Sequence, residues 1–389
     1  MNKKIAILIN SLYSGGAEAV VLALLDKVKL DQPITLILIE NIVIYDIPKN
    51  IRVKYLSKTV PANGIIKLFM LPILSFRLIK LIRAEKIELV QSHMFRANYI
   101  NLISKILGSD HIAQIVNHIV ASPYKLQGIL GKTNLFLIKH LYPFADLILN
   151  VSLGVKKDLM KILPNYTRMK VIYNPFNIDL IISKSNESFK ENEFNWDKTK
   201  FYIICIGRMD VQKRHHDLIY AFNKVASNYQ NCELILLGDG PEKKRLDELV
   251  NKLSLSKKIH FQGFVRNPFK YLKKANLNVL CSGFEGFGNT LVESMICKCP
   301  VISTDCPFGP REILDIKYQD WLLDNTIEYA KYGILTPIGN IDLLANAIQN
   351  MIKNKELRDK YINSGFARSK DFDIGQIANE YYKIFINNL

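Results

Sequence analysis

Short apolar runs alternate with amphipathic stretches from one end of the chain to the other. In the first half the runs fall at 5–9, 34–40, 53–56, 89–92, 112–117 and 147–151. The second half restarts the pattern at 201–206, 233–237, 259–261, 277–281, 301–303 and 333–335. Such runs, separated by helical periodicity, predict repeated strand–helix units and an α/β fold with mainly parallel sheets. Between the halves, Tyr173-Asn174-Pro175-Phe176-Asn177-Ile178-Asp179 breaks the rhythm and reads as a hinge. Residues 183–200, poor in aliphatic side chains, read as a surface loop or a poorly ordered excursion.

One segment departs from the alternation. Across 65–86 nearly every position is apolar except for cations, and Arg77, Lys80 and Arg83 recur every three residues on one helical face. Pro72 is expected to end or kink the first turns. Two readings stand: an interior-facing helix with a solvated basic edge, or an interfacial helix resting on anionic lipid. Residues 124–144, where Lys125, Lys132, Lys139 and His140 mix with Leu126, Ile129, Leu130, Leu135, Phe136 and Leu137, point the same way. No run reaches the roughly 18 apolar residues of a membrane span. The start, Met1-Asn2-Lys3-Lys4 before the apolar run at 5–9, imitates a signal peptide but is too short in its apolar core, so a first buried strand is the better reading.

Length and charge sharpen this picture. A chain of 389 residues accommodates two domains of ordinary size. The net charge of +16 is uneven: residues 1–175 carry 23 Lys and Arg against 10 Asp and Glu, and residues 176–389 carry 29 against 26. A basic first half suits an anionic membrane surface, a phosphate-bearing substrate or nucleic acid. No nucleic-acid motif accompanies the charge, which argues against the last. All six cysteines fall in the second half, without a Cys-x-x-Cys pair, as expected of reduced, mostly buried thiols in the cytosol.

The richest chemistry lies at Phe284-Glu285-Gly286-Phe287-Gly288-Asn289-Thr290-Leu291-Val292-Glu293. A strand, a glycine turn and a helix in that order aim backbone N–H groups and a positive helix end at the strand's carboxyl end, a site for a diphosphate. Glu293 should lie about 12 Å beyond Glu285 at about 1.5 Å per residue. That exceeds the roughly 5–9 Å at which two carboxylates share one glycosidic bond. Two hydroxyl-rich partners, a sugar and a ribose, explain the spacing better.

Other candidates also sit where strands end. Gly15-Gly16 follow the first strand, where backbone can approach a phosphate or simply turn. Gly207-Arg208 and Lys213 follow 201–206 and can grip one diphosphate, or stand as solvated cations. Lys213-Arg214-His215-His216 looks metal-like, but adjacent histidines on a helix point apart. His93 and His118 end their strands and face the crevice where open α/β sheets bind ligands, or cap loops. Gly238-Asp239-Gly240-Pro241 and Gly263-Phe264-Val265-Arg266 can meet a nucleotide through backbone, with Val265 a donor-site candidate, or merely turn.

Together these residues resemble retaining glycosyltransferase family 4 over essentially the whole chain, its most specific marker being the two glutamates Glu285 and Glu293. The segment Pro300-Val301-Ile302-Ser303-Thr304-Asp305-Cys306-Pro307-Phe308-Gly309-Pro310-Arg311-Glu312 looks like bacterial members that build lipid-linked surface polysaccharides. The resemblance implies the GT-B fold, two Rossmann-like domains with mainly parallel sheets facing across a cleft. It implies an acceptor domain at 1–175, a nucleotide-sugar domain at 176–370, and a final helix in 371–389 crossing back onto the first. It also implies that Glu285 contacts donor-sugar hydroxyls, Glu293 the ribose, and Arg208 and Lys213 the diphosphate. Gly15 and Gly16 with the backbone at Asn289 and Thr290 would line the phosphate site, and His118 would lie near the sugar, with His93 the second choice.

The expected function is transfer of a hexose or N-acetylhexosamine from a UDP-sugar to a lipid-linked saccharide in surface-glycan assembly. No metal cofactor is expected, and the expected location is the cytoplasmic face of the cell membrane, held peripherally on its anionic surface. The alternatives are a GT-B-fold sugar-nucleotide epimerase and a non-catalytic basic membrane-peripheral binding protein.

Overall fold

The computed structural model describes all residues except 1–2, 14, 29, 31–32, 58–63, 127, 192, 315–322 and 387–389. The chain forms two compact units, Met1–Phe176 joined by Ile374–Leu389, and Asn177–Asp373. Residues 387–389 of the expected final helix and residue 127 of the second basic stretch lie outside the described residues.

The first unit is built on β1 (Ile5–Ile9), β2 (Thr35–Leu38), β3 (Arg52–Tyr55), β4 (Leu89–His93), β5 (Ile112–Asn117), β6 (Leu147–Asn150) and β7 (Met169–Val171). They pair in the order β3-β2-β1-β4-β5-β6-β7, every pairing parallel. The second unit follows with β8 (Phe201–Ile206), β9 (Cys232–Leu237), β10 (Ile259–Gly263), β11 (Leu277–Leu280), β12 (Val301–Thr304), β13 (Glu328–Tyr329) and β14 (Ile334–Thr336). Their order is β10-β9-β8-β11-β12-β14-β13, with only the last pairing antiparallel. Both orders are doubly wound: the winding reverses beside the first strand of each sheet, between β1 and β4 and between β8 and β11.

Helices on both faces explain why the strands read as unbroken apolar runs. Every residue of β1, β2 and β9 is buried. Two strands escaped the pattern, β7 and β13, because they have three and two residues and only Met169 among them is buried. The opposite anomaly is β4, Leu89-Val90-Gln91-Ser92-His93, a central strand whose three polar side chains are as buried as its apolar ones.

In the first unit, helices α1 (Gly16–Lys27), α2 (Gly64–Phe69), α3 (Leu71–Glu85), α4 (Phe95–Ile106) and α5 (Gly128–Leu141) cover the sheet. Residues 65–86 are therefore two helices, and Pro72 sits in the first turn of α3, opening that helix rather than kinking it. α3 buries Leu71, Leu74, Leu78, Ile79 and Ile82. Its outer face shows Ile73 and Phe76, continued from Phe69, which is 78% exposed. Arg77 turns inward enough to donate to the Leu56 carbonyl at 2.8 Å.

Residues 183–191 and 193–200 are a packed strap, residue 192 lying outside the described residues. The helix Ile178–Ser185 takes up their start. Beyond it, Phe189, Phe194 and Trp196 meet edge to face with one another and with Tyr202 and Tyr271. Aromatic side chains, not aliphatic ones, supply the apolar area of this segment. The C-terminal helix Ile374–Ile386 buries Ile377, Ala378, Tyr381 and Phe385 in the first unit, where Ile374 N–H donates to the Phe176 carbonyl at 2.9 Å.

Candidate active site

Open α/β sheets bind ligands beyond the carboxyl ends of their strands, where the winding reverses. In the second unit that point lies past β8 and β11, and the loops leaving them carry Arg208, Lys213 and Glu285. The loops are laced by backbone. Gly207 N–H donates to Leu237, Met209 N–H to Asp239, Gly238 N–H to Gly263 and Gly283 N–H to Gln212, all at 2.7–3.0 Å. Gln212 Nε2 adds a bond of 2.8 Å to the Phe284 carbonyl.

Two glycines make this approach possible. Gly238 holds φ at 132°, and a Cβ there would lie 2.0 Å from the Gly207 oxygen. Gly309 holds φ at 73°, and its Cβ would lie 2.1 Å from the Phe287 oxygen. Any other residue would push the loops apart.

Lys213 closes a short turn capped by Asp210, whose carboxylate accepts from the Lys213 N–H at 3.2 Å. Its stem runs over Gly207, and Nζ reaches Glu285 Oε1 at 2.5 Å. The same oxygen accepts from Ser282 Oγ at 2.6 Å. Glu285 is 7% exposed. Burial works against the charge on Lys213, but the Glu285 carboxylate, with Asp210 and Cys205 behind it, outweighs burial and holds the ammonium protonated above its ordinary range. A lysine has three N–H donors, so two remain for other acceptors.

Arg208, on the same loop, is exposed. The helix Asn289–Ile296, with Thr290 in its first turn, starts without a side-chain cap, its N-cap being Gly288. About one turn on, burial pushes the Glu293 carboxyl up to about 7, and no ion-pair partner stands beside it among the described residues. Val265 sits half-buried on the loop past β10, two strands from β8.

The sequence placed Lys213 on a diphosphate and Glu285 on a sugar as separate tasks; the fold makes them one ion pair. Ser282 and Gln212, which fix that pair and its loop, were missed. A serine three residues before a buried glutamate was the available signal.

The first unit shows the same logic at β1 and β4. Gly15 and Gly16 lead from β1 into α1, and a Cβ on Gly15 would lie 2.4 Å from a Glu18 carboxylate oxygen. Burial raises the pKa of Glu18, a residue the sequence reading did not single out. His93 does not face a crevice: it is fully buried, with Nε2 3.2 Å from Gln91 Oε1 and Nδ1 2.9 Å from His118 Nε2. His118, just past β5, lines a small recess with Met94, Phe95, Asn98, Asn117 and Ile119. Burial pulls the pKa of His118 down to about 3 and that of His93 well below its usual value, the latter with help from His118. Both rings are neutral across the physiological range.

Among the described residues no group of three or more His, Cys, Asp or Glu side chains is placed to hold a metal ion. The six cysteines are buried and unpaired. No helix among these residues is long and apolar enough to cross a membrane.

Two family descriptions match the chain: Glycosyltransferase Family 4 over residues 14–180, and Glycosyl transferases group 1 over residues 186–368. A glycosyltransferase of Methanocaldococcus jannaschii is 36% identical over 79% of this chain and 81% of its own. The N-acetylgalactosamine-N,N'-diacetylbacillosaminyl-diphospho-undecaprenol 4-alpha-N-acetylgalactosaminyltransferase of Campylobacter jejuni is 32% identical over 99% of this chain and all of its own. Among solved structures, Anabaena HepE in complex with UDP and glucose superposes with a TM-score of 0.77 at 20% identity, over 99% of this chain and 100% of that one. At that identity the likeness concerns the fold, which is GT-B.

Proposed function

The chain belongs to glycosyltransferase family 4, and from that membership we propose that it moves a hexose or N-acetylhexosamine from a UDP-sugar to a lipid-linked saccharide with retention of anomeric configuration. The observation that carries this is the buried Lys213–Glu285–Ser282 group at the winding reversal of the second sheet. It combines a fixed cation with a carboxylate, the two chemistries a sugar diphosphate requires. The diphosphate-linked acceptor named for the Campylobacter relative supports the choice of acceptor, and the UDP held by the Anabaena protein supports the choice of donor.

The chemistry follows from charge. The bond between the anomeric carbon and the β-phosphate oxygen breaks, and its electron pair goes to that oxygen. An acceptor hydroxyl forms the new bond on the same face and passes its proton to the departing phosphate. Negative charge grows on the diphosphate as this happens, so Arg208 and the two spare N–H groups of Lys213 stabilise the transition state more than the bound donor. Glu285 aims Lys213 and turns its second oxygen to sugar hydroxyls. Glu293 accepts from the ribose. The cations supply the charge stabilisation that a divalent ion supplies elsewhere, so the reaction proceeds in chelator.

A peripheral membrane seat on the cytoplasmic side accompanies this reading. Phe69, Ile73, Phe76, Lys80 and Arg83 form one outer stripe along α2 and α3. On α5, Ile129 is 84% exposed, and Leu130 and Phe136 are also exposed, near Lys132 and Lys139. Apolar side chains flanked by cations suit anionic lipid.

The testing experiment is calorimetry of UDP, GDP and their sugars with the full chain, followed by acceptor dependence. A UDP-sugar that binds but turns over without acceptor would favour the epimerase reading. No nucleotide binding at all would favour a non-catalytic protein.

A further inference from the structure

The buried polar strand β4 is half of a continuous hydrogen-bond chain with a single allowed direction. Gln114 Nε2 donates to the Ile384 carbonyl at 3.4 Å, the longest link. Gln91 Nε2 donates to Gln114 Oε1 at 2.9 Å. Gln91 Oε1 then faces His93 Nε2 at 3.2 Å, and His93 Nδ1 faces His118 Nε2 at 2.9 Å. Gln91, His93 and Gln114 are fully buried, so water does not share the bonds among these three.

Ile384 lies in the last described turn of the C-terminal helix. A carbonyl only accepts, so Gln114 must present its NH2 group there. Reversing both amides would set Gln114 Oε1 against the Ile384 oxygen, two acceptors face to face. With the amides fixed, Gln91 offers His93 an oxygen, and His93 must carry its proton on Nε2. A neutral imidazole has one N–H, so His93 Nδ1 is an acceptor and His118 must donate to it from Nε2.

We propose that this chain, anchored on the C-terminal helix, holds His118 as the Nε2–H tautomer with Nδ1 bare, so that His118 accepts a hydrogen bond from a ligand hydroxyl and never donates one. Gln91, His93 and Gln114 are positioning residues. The low pKa values of both rings keep the chain neutral and its direction intact. Met94, which follows His93, holds φ at 76°, a conformation that non-glycine residues adopt only where the surroundings impose it. The ligand's identity as a sugar rests on the transferase reading; the tautomer does not.

The test is 15N NMR of the full chain labelled at histidine, at pH 7, with signals assigned through His93→Gln and His118→Gln. Expected are His93 and His118 both protonated on Nε2 and bare on Nδ1. A wild-type His118 protonated on Nδ1 overturns the proposal without recourse to any variant. Gln91→Leu should release the His118 tautomer to a mixture. Gln91→Glu, buried as the neutral acid, can donate to Gln114 and accept from His93, and should restore it. With UDP-glucose and a polyprenyl-diphosphate-linked saccharide, or whichever UDP-sugar pair is active, Gln91→Leu should lose about tenfold in kcat/KM with UDP affinity unchanged, the size of one hydrogen bond. A tautomer unmoved by Gln91→Leu overturns the chain as its cause. Absence of transfer in the wild type would end the transferase reading while the NMR still decides the tautomer.

Discussion

Lys213 Nζ lies 2.5 Å from Glu285 Oε1, although 72 residues separate them in the chain. Neither side chain is well exposed, at 21% and 9% of the side-chain surface. Removing one partner strands the other, so each single variant should destabilise. Glu285→Gln and Lys213→Met should each cost about 2 kcal/mol, with much of it recovered in the double variant. Urea unfolding in a double-mutant cycle reads this, and simple additivity would mean that the pair is not coupled.

On the proposed ribose contact, Glu293 should give the donor site a pH dependence. Its carboxyl in the free protein sits at about 7 through burial. In the proposed donor site, ribose hydroxyls would donate to the ionised form, so binding would lower that value. UDP affinity should therefore be full above pH 7 and weaken by up to about tenfold per unit below it. The phosphate of UDP titrates nearby, so the measure is the difference between wild type and Glu293→Gln by calorimetry. Parallel pH profiles would remove Glu293 from the ribose.

The buried histidines act on stability in the same sense, weakening it as pH falls. His118 and His93 have folded-state values depressed below the unfolded value of about 6.5. Their contribution is present above that value and is lost as pH falls, through a window reaching about 3 for His118. His118→Gln should flatten the fall in stability between pH 6 and 4 by about 1 kcal/mol per unit. Urea midpoints at several pH values check the slope.

Gly238→Ala should separate the loops past β8 and β9, since its Cβ would meet the Gly207 oxygen at 2.0 Å. A loss of more than about 2 kcal/mol in stability is expected, together with loss of UDP binding. Unchanged binding would place the nucleotide elsewhere.

Pelleting with anionic vesicles at low salt should be lost in Phe69→Ser with Lys80→Ser and Arg83→Ser. Arg77 is left alone because it holds the Leu56 carbonyl. Failure of the parent protein to pellet would remove the membrane seat.

The sequence showed the strands that are long and apolar, such as β5 and β8, within a residue or two, because burial on both faces leaves no polar alternation to confuse them. It singled out Glu285 and Glu293 as candidates because eight residues on one loop and helix are local. It did not show that Lys213 meets Glu285, or that His93 meets His118 across 25 residues, since both pairings depend on which strands become neighbours. Gln91, Ser92 and His93 were a legible clue all the same. Three polar side chains in a central strand are tolerated only when something partners them, and here that partner network leads to His118.

Acceptor-dependent UDP release in chelator is the decisive measurement. Wild type is compared with Lys213→Ala over a panel of UDP-sugars, with and without polyprenyl-diphosphate-linked saccharides. Release is expected from one donor only when acceptor is present, with retained configuration in the product and a fall of about 10²–10³ in kcat for the variant. Full activity in Lys213→Ala, or release that never depends on acceptor, would rule out the proposed transfer.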